Sequence, residues 1–168
     1  AKIGRLFKFN QFDGTMQAHF IELSVFSTPE DDLEKVEKSF LSFLPFDPAN
    51  EKVVITKLNA EGFNDRKIVI IKTSLTKQRH VAAFLNSLRE KLSQDQKELI
   101  IEQKDKRIDE GLYLFMRFDK VKLVEEGELW LADSGNCYHL KIALAPFPRK
   151  RENALKIVDE ILSPGQHT

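Results

Sequence analysis

A single cysteine, Cys137, in 168 residues leaves no partner for an internal disulfide and too few thiols for a cysteine-based zinc site. That usage suits a reducing cytoplasm, the expected compartment. An excess of either charge is also lacking. With 26 Lys and Arg against 26 Asp and Glu the formal net charge is zero, so bulk electrostatics give no reason to expect a polyanion or a membrane as partner. There is no run of about 18 apolar residues and no signal-peptide pattern, and no membrane association is expected. Nor is there a glycine-lysine loop to cradle a phosphate, an internal repeat or a low-complexity tract. What remains has the length of one domain able to bury a core without staples.

Residues 1–15, "AKIGRLFKFNQFDGT", mix aromatic and basic residues ahead of Met16 and read as an N-terminal arm or a cloning remnant. Residues 16–163 read as a single α+β domain and 164–168 as a C-terminal tail. From Gln17 to Phe26, Ile21, Leu23 and Val25 alternate with Glu22 and Ser24, the period of a half-buried strand. Thr28 and Pro29, followed by Glu30, Asp31 and Asp32, predict a capped helix start, with Leu33, Val36, Phe40 and Leu41 on its core face until Pro45. "KVVITKL" and "KIVIIKT" predict an antiparallel strand pair. Thr76 to Leu92 predicts a helix with Val81, Phe84, Leu85, Leu88 and Leu92 inward, and Ser93 caps a second. A three-strand meander follows, over Leu112–Lys120, Glu128–Ala132 and Cys137–Ala145, and then a closing helix with Ala154, Leu155, Val158 and Leu162 inward. Strands joined mainly as hairpins argue for an antiparallel sheet with helices packed on one face.

The chemistry concentrates in "LYLFMRFDKVKL". Leu112, Leu114, Met116 and Phe118 form an unbroken apolar face, and Tyr113, Phe115, Arg117 and Asp119 point the other way. An aromatic and arginine surface of this kind can stack bases and hold phosphates. Alternatively its rings pack beneath a loop or subunit and Arg117 forms an internal ion pair with Asp119. The ribonucleoprotein octapeptide of the four-stranded RNA-binding sheet is absent. Basic residues cluster: Arg66 to Lys91 holds seven (Arg66, Lys67, Lys72, Lys77, Arg79, Arg89, Lys91) against Glu90, while Glu30 to Lys38 holds five acids. Arg149, Lys150 and Arg151 open the last helix, where cations oppose the helix dipole and need another reason to be present, either phosphate or solvation. Cys137 and His139 share one strand face but lack an orienting acid, so Cys137 reads as a structural thiol. His19 and His80 lack metal spacing and read as satisfied histidines. No catalytic residue, metal site or cofactor is expected.

Several stretches together resemble the archaeal RNA-binding proteins encoded near exosome genes, often described as predicted exosome subunits. The similarity runs from His19 to Phe147 and rests on "STPEDDLEKV", "GFNDRKI", and "RIDEGLYLFMRFDKV" followed by "GELWL". In that family the last element reads Arg-hydrophobic-Asp-Lys-Gln. Arg117, Phe118, Asp119 and Lys120 match, and Val121 departs from the Gln. The turn keeps Gly62, Phe63 and Ile68 but places Asn64, Asp65, Arg66 and Lys67 where the family has Gly-Asn-Pro. The resemblance implies a fold similar to the large-subunit ribosomal protein that binds five-S rRNA, homodimers, exosome components as partners, and RNA binding, structured or single-stranded, without catalysis. The expected RNA-facing residues are Arg66, Lys67, Lys77, Arg79, Tyr113, Arg117, Lys120, Arg149, Lys150 and Arg151. A protein–protein adaptor or dimerisation module in a ribonucleoprotein assembly is the other reading of the same exposed face.

Overall fold

The computed structural model describes residues 16–163, so the boundaries expected at residues 15 and 164 lie against segments outside the described residues. The order of elements is β1 (Ala18–Ser27), α1 (Leu33–Leu41), β2 (Ile55–Glu61), a 3-10 turn (Phe63–Asp65), β3 (Lys67–Leu75), α2 (Gln78–Lys91), α3 (Gln94–Arg107), β4 (Tyr113–Asp119), α4 (Lys120–Glu126), β5 (Cys137–Leu144) and α5 (Arg151–Leu162). The five strands form one antiparallel sheet in the order β2-β3-β1-β5-β4. The expected α+β class and antiparallel sheet are what the molecule has.

Alternation assigns the two faces. Ile21, Leu23 and Val25 of β1, Ile71 and Leu75 of β3, Leu114, Met116 and Phe118 of β4, and Leu140 and Ile142 of β5 are all buried on one side. The helices bury their own stripes against them. On α2 all five expected positions, Val81, Phe84, Leu85, Leu88 and the adjoining Leu92, are inward. Phe43 joins the layers: its ring centroid lies 5.5 Å from Tyr138, 5.9 Å from Phe118 and 6.5 Å from Phe84. The buried Tyr138 hydroxyl donates to the Val36 carbonyl at 3.0 Å, and burial pushes its phenol well above the usual range.

Several expected boundaries shift for local reasons. The first helix begins at Leu33 rather than beside Thr28, because Asp32 caps it: Asp32 Oδ1 accepts from the amides of Glu34 (3.1 Å) and Lys35 (3.4 Å). Thr28 belongs to a turn instead, donating through its amide (2.8 Å) and hydroxyl (3.1 Å) to Asp31 Oδ2. With that later start, Leu33 and Leu41 remain exposed while Val36 and Phe40 are buried. The strand "LYLFMRFDKVKL" ends at Asp119, whose carboxylate accepts from the Lys122 amide at 2.8 Å and opens the short helix α4. Gly127 ends α4 at φ 70, the left-handed position where glycine costs least, its amide donating to the Leu123 carbonyl at 2.9 Å.

The strand expected over Glu128–Ala132 is not one. This segment makes a single bridge, Leu131 to Phe118, and two flanking bonds, from the Asp119 amide to the Trp130 carbonyl (2.8 Å) and from the Ala132 amide to the Arg117 carbonyl (2.9 Å). Together with α3 it covers the free edge of β4. In α5 the inward set is Ala154, Ile157, Val158, Ile161 and Leu162, with Leu155 only half-buried.

Candidate nucleic-acid interface

The buried core residues fill one face of the sheet, and the other face carries the chemistry. In β4 it presents Tyr113, Phe115, Arg117 and Asp119. Register then fixes their neighbours. Phe115 pairs with Lys141, which pairs with Glu22, and Glu22 with Ser74. One step along, Arg117 pairs with His139, His139 with Ser24, Ser24 with Lys72 and Lys72 with Thr56. A further step brings Phe26, Ile70 and Leu58 into line. The C-terminal turn of α3 and residues 132–133 rise along the β4 edge and turn this face into a concavity of ≈ 800 Å³. Its walls carry five cations, Lys72, Lys106, Arg107, Arg117 and Lys141, against three carboxylates, Glu22, Asp109 and Asp133.

Two guanidiniums dominate it. Arg117 donates through Nη1 to the Asp133 carbonyl at 2.7 Å, and Arg107 donates through Nε (3.1 Å) and Nη2 (2.5 Å) to Gln103 Oε1. Neither makes an ion pair with a carboxylate among the described residues. Burial lowers the Arg107 pKa from the usual arginine value; the nearby Asp133 carboxylate opposes this and the neighbouring Arg117 charge reinforces it. Two like charges held side by side by neutral acceptors attract an anion more than they stabilise the fold.

The aromatic residues differ in availability. Tyr113 is packed against Phe20 (6.0 Å) and Phe115 (6.4 Å), and Lys141 Nζ already sits 4.3 Å over its ring. Phe115 and Phe26, at 41% and 49% exposure, are the open rings.

The expected RNA-facing residues do not form one surface. Lys120 is buried at 2% exposure, its ammonium bonded to the Phe26 carbonyl and, at 2.8 Å, to Asp31 Oδ2, so it cannot face a ligand. It is an internal bolt between α4 and the end of β1. Arg66 and Lys67 lie at the β2–β3 hairpin, Arg66 paired with Glu30. Lys77 and Arg79 start α2 beyond the other end of β3, roughly 26 Å away at the usual rise per strand residue, and Arg79 pairs with Glu51 at 2.8 Å. Arg149 reaches the Gly111 carbonyl at 3.4 Å and Lys150 pairs with Glu152 at 3.9 Å. Arg151 binds Asp105 Oδ1 at 3.1 Å and the carbonyls of Asp105 (2.5 Å) and Ile108 (3.1 Å). That supplies its reason for sitting at a helix start: it closes the C-terminal end of α3. Nor does Arg117 pair with Asp119, which caps α4 instead. Of the expected set, Arg117 and Tyr113 remain on the open face, and the residues that join them there, Arg107, Lys106, Lys141, Lys72, Phe26 and Phe115, were not in it.

The remaining chemistry is inert. Cys137 Sγ and His139 Nε2 are 3.7 Å apart, but burial raises the thiol pKa, while burial and then Arg117 lower that of the imidazole. Both shifts oppose a thiolate–imidazolium pair. His80 is buried with Nε2 at 2.9 Å from Glu51 Oε1, a satisfied histidine, whereas His19 is exposed. Among the described residues no group of three or more His, Cys, Asp or Glu could hold a metal, and no helix is long and apolar enough to cross a membrane.

The model of a family described as "RNA binding" matches residues 20–144, which take in the groove and all of the sheet but the first two residues of β1. The chain belongs to that family. It is 28% identical over 149 residues, 89% of its own length and 96% of the other's, to the RNA-binding protein PAB1135 of Pyrococcus abyssi. Among solved structures it is similar to protein AF2318 from Archaeglobus fulgidus, at 27% identity and a TM-score of 0.74, covering 86% of this chain and 99% of that one. A protein of Methanothermobacter thermautotrophicus follows at 26% and 0.68, covering 88% and 99%. The similarity therefore extends across nearly all of each relative.

Proposed function

We propose that this chain binds RNA on the sheet face that the described residues leave open and catalyses no reaction on it. One observation carries the reading: Arg107 and Arg117 sit side by side on a concave, aromatic-bearing surface with no carboxylate bridged to either among the described residues. Membership of an RNA-binding family and the name of the Pyrococcus relative support it. Fluorescence anisotropy of a labelled RNA across a salt series tests it. Phosphate contacts release counterions, so affinity falls steeply with salt, and Arg107→Gln with Arg117→Gln flattens that slope. Binding that is absent at low salt, or indifferent to both substitutions, contradicts the proposal.

An accessory role beside an exosome rests on the resemblance of the sequence alone, and co-purification of exosome subunits with the tagged chain in an RNase-treated extract tests it. A homodimer is favoured by a separate observation. The β2 end of the open face is apolar, with Leu58 at 59% exposure paired with Ile70, and among the described residues β2 leaves one edge unpaired. Sedimentation equilibrium of the chain and of Leu58→Lys decides that point.

A further inference from the structure

The geometry of the groove also selects a class of RNA, an inference that rests on the reading just given. Its two open rings are not neighbours. Phe115 and Phe26 lie on strands separated by β5 and in rows four residues apart, roughly 17 Å at ordinary strand spacing and rise. Between them runs the row Arg117, His139, Ser24 and Lys72, which crosses the sheet from β4 to β3 and carries its polar and cationic groups outward. Two flat apolar platforms are thus separated by a track suited to phosphate, with Arg107 and Lys106 standing over the β4 end of it.

A duplex cannot use this arrangement. In an A-form helix the bases are paired and stacked inside, and only phosphates, 2′-hydroxyls and a shallow groove are presented. The rings here lie on the floor of a concavity, beneath the wall formed by α3 and residues 132–133. An unpaired strand can turn its bases down onto the rings while its backbone follows the cations, as on other sheet platforms that stack two or three bases. We infer that the open face takes unpaired RNA, with one base on Phe115, a second on Phe26, and the intervening phosphates on Arg107, Arg117 and Lys72. Tyr113 is not a third platform, because Lys141 already occupies its face.

The test uses the full chain and three probes at one low salt concentration: a ten-nucleotide single strand, the same strand in a blunt duplex, and an abasic backbone of equal length. Anisotropy should show the single strand bound at least roughly ten-fold tighter than the other two, in keeping with the strength of base–aromatic stacking. Phe115→Ala and Phe26→Ala should each lose most of that preference while holding the duplex and abasic probes as the unaltered chain does. Since both rings are more than 40% exposed, the melting temperature should stay unchanged. Phe115→Leu, which keeps apolar bulk without a ring, should behave like the alanine variant. Duplex bound as tightly as single strand, or aromatic variants that leave the preference intact, would overturn the inference while leaving RNA binding itself standing. No binding of any probe overturns both.

Discussion

The two faces of the sheet are built from the same strands, residue by residue in alternation, yet they treat charge in opposite ways. On the helix side the charged group that enters, Lys120, is fully engaged by Asp31 and the Phe26 carbonyl, since an unpaired ammonium there would cost several kcal/mol. On the open side Arg107 and Arg117 donate to amide and carbonyl oxygens, and neither is bridged to a carboxylate among the described residues. The same contrast separates the rings: Phe84, Phe118 and Tyr138 are almost wholly buried, and Phe26 and Phe115 are not. A short run of sequence, from Phe115 to Lys120, contributes to both. Composition reports neither difference, because net charge and aromatic content average over the two faces.

The contrast can be pressed hardest from the covered side. Phe118→Ala, which empties a 0%-exposed site between Phe43 and the sheet, should cost about 3–5 kcal/mol in urea unfolding, and Phe115→Ala three residues earlier should change it by less than about 0.5 kcal/mol. Comparable losses for the two would mean that the open face is not open.

Next in size is Lys120→Ala. It leaves Asp31 partly buried without its cation and should destabilise the chain by about 3 kcal/mol, the lower end for a broken buried pair because the Asp31 side chain retains 16% exposure. Arg117→Ala should leave unfolding nearly unchanged and weaken RNA binding. The two substitutions thus separate a structural cation from a ligand-facing one.

A smaller effect follows from acid. Burial alone would raise the Asp31 pKa, but hydrogen bonds from Lys120 and from Thr28, with the Lys120 charge, hold it below the usual value. A carboxyl whose pKa is lower folded than unfolded contributes stability above its unfolded pKa, about 4, and loses it as pH falls through the folded value. The chain should therefore lose stability below about pH 4 more steeply than Asp31→Asn, compared by chemical unfolding at stepped pH. Parallel curves would remove Asp31 from the account.

Much of the covered face was legible in the sequence, because burial imposes a period. The five inward residues of α2 and the even residues of β4 follow directly from 3.6- and 2-residue spacing. Short elements were less legible. In "FDKVKLVEEG" the strand continues plausibly through Lys120, and only the caps, Asp119 and Gly127, mark a seven-residue helix. "GELWL" has strand composition but meets an edge where α3 leaves room for one bridge.

The groove was half visible. Alternation exposed Tyr113, Phe115 and Arg117, but Arg107 sits in "KDKR" at a helix end, where basic residues suit the dipole and suggest nothing more. Its approach to Phe115 depends on how α3 folds over the β4 edge. The clusters at Lys77 and Arg149 read as one basic population only because sequence does not show which cations already serve a carboxylate or a helix end.

The most direct measurement is a ¹⁵N-edited spectrum of the chain titrated with a ten-nucleotide unpaired RNA. Shifts confined to Ser24, Phe26, Lys72, Arg107, Phe115, Arg117, His139 and Lys141 are the predicted result. Shifts centred on Arg66, on Lys77 and Arg79, or on Arg149 to Arg151, with the open face unmoved, would contradict it.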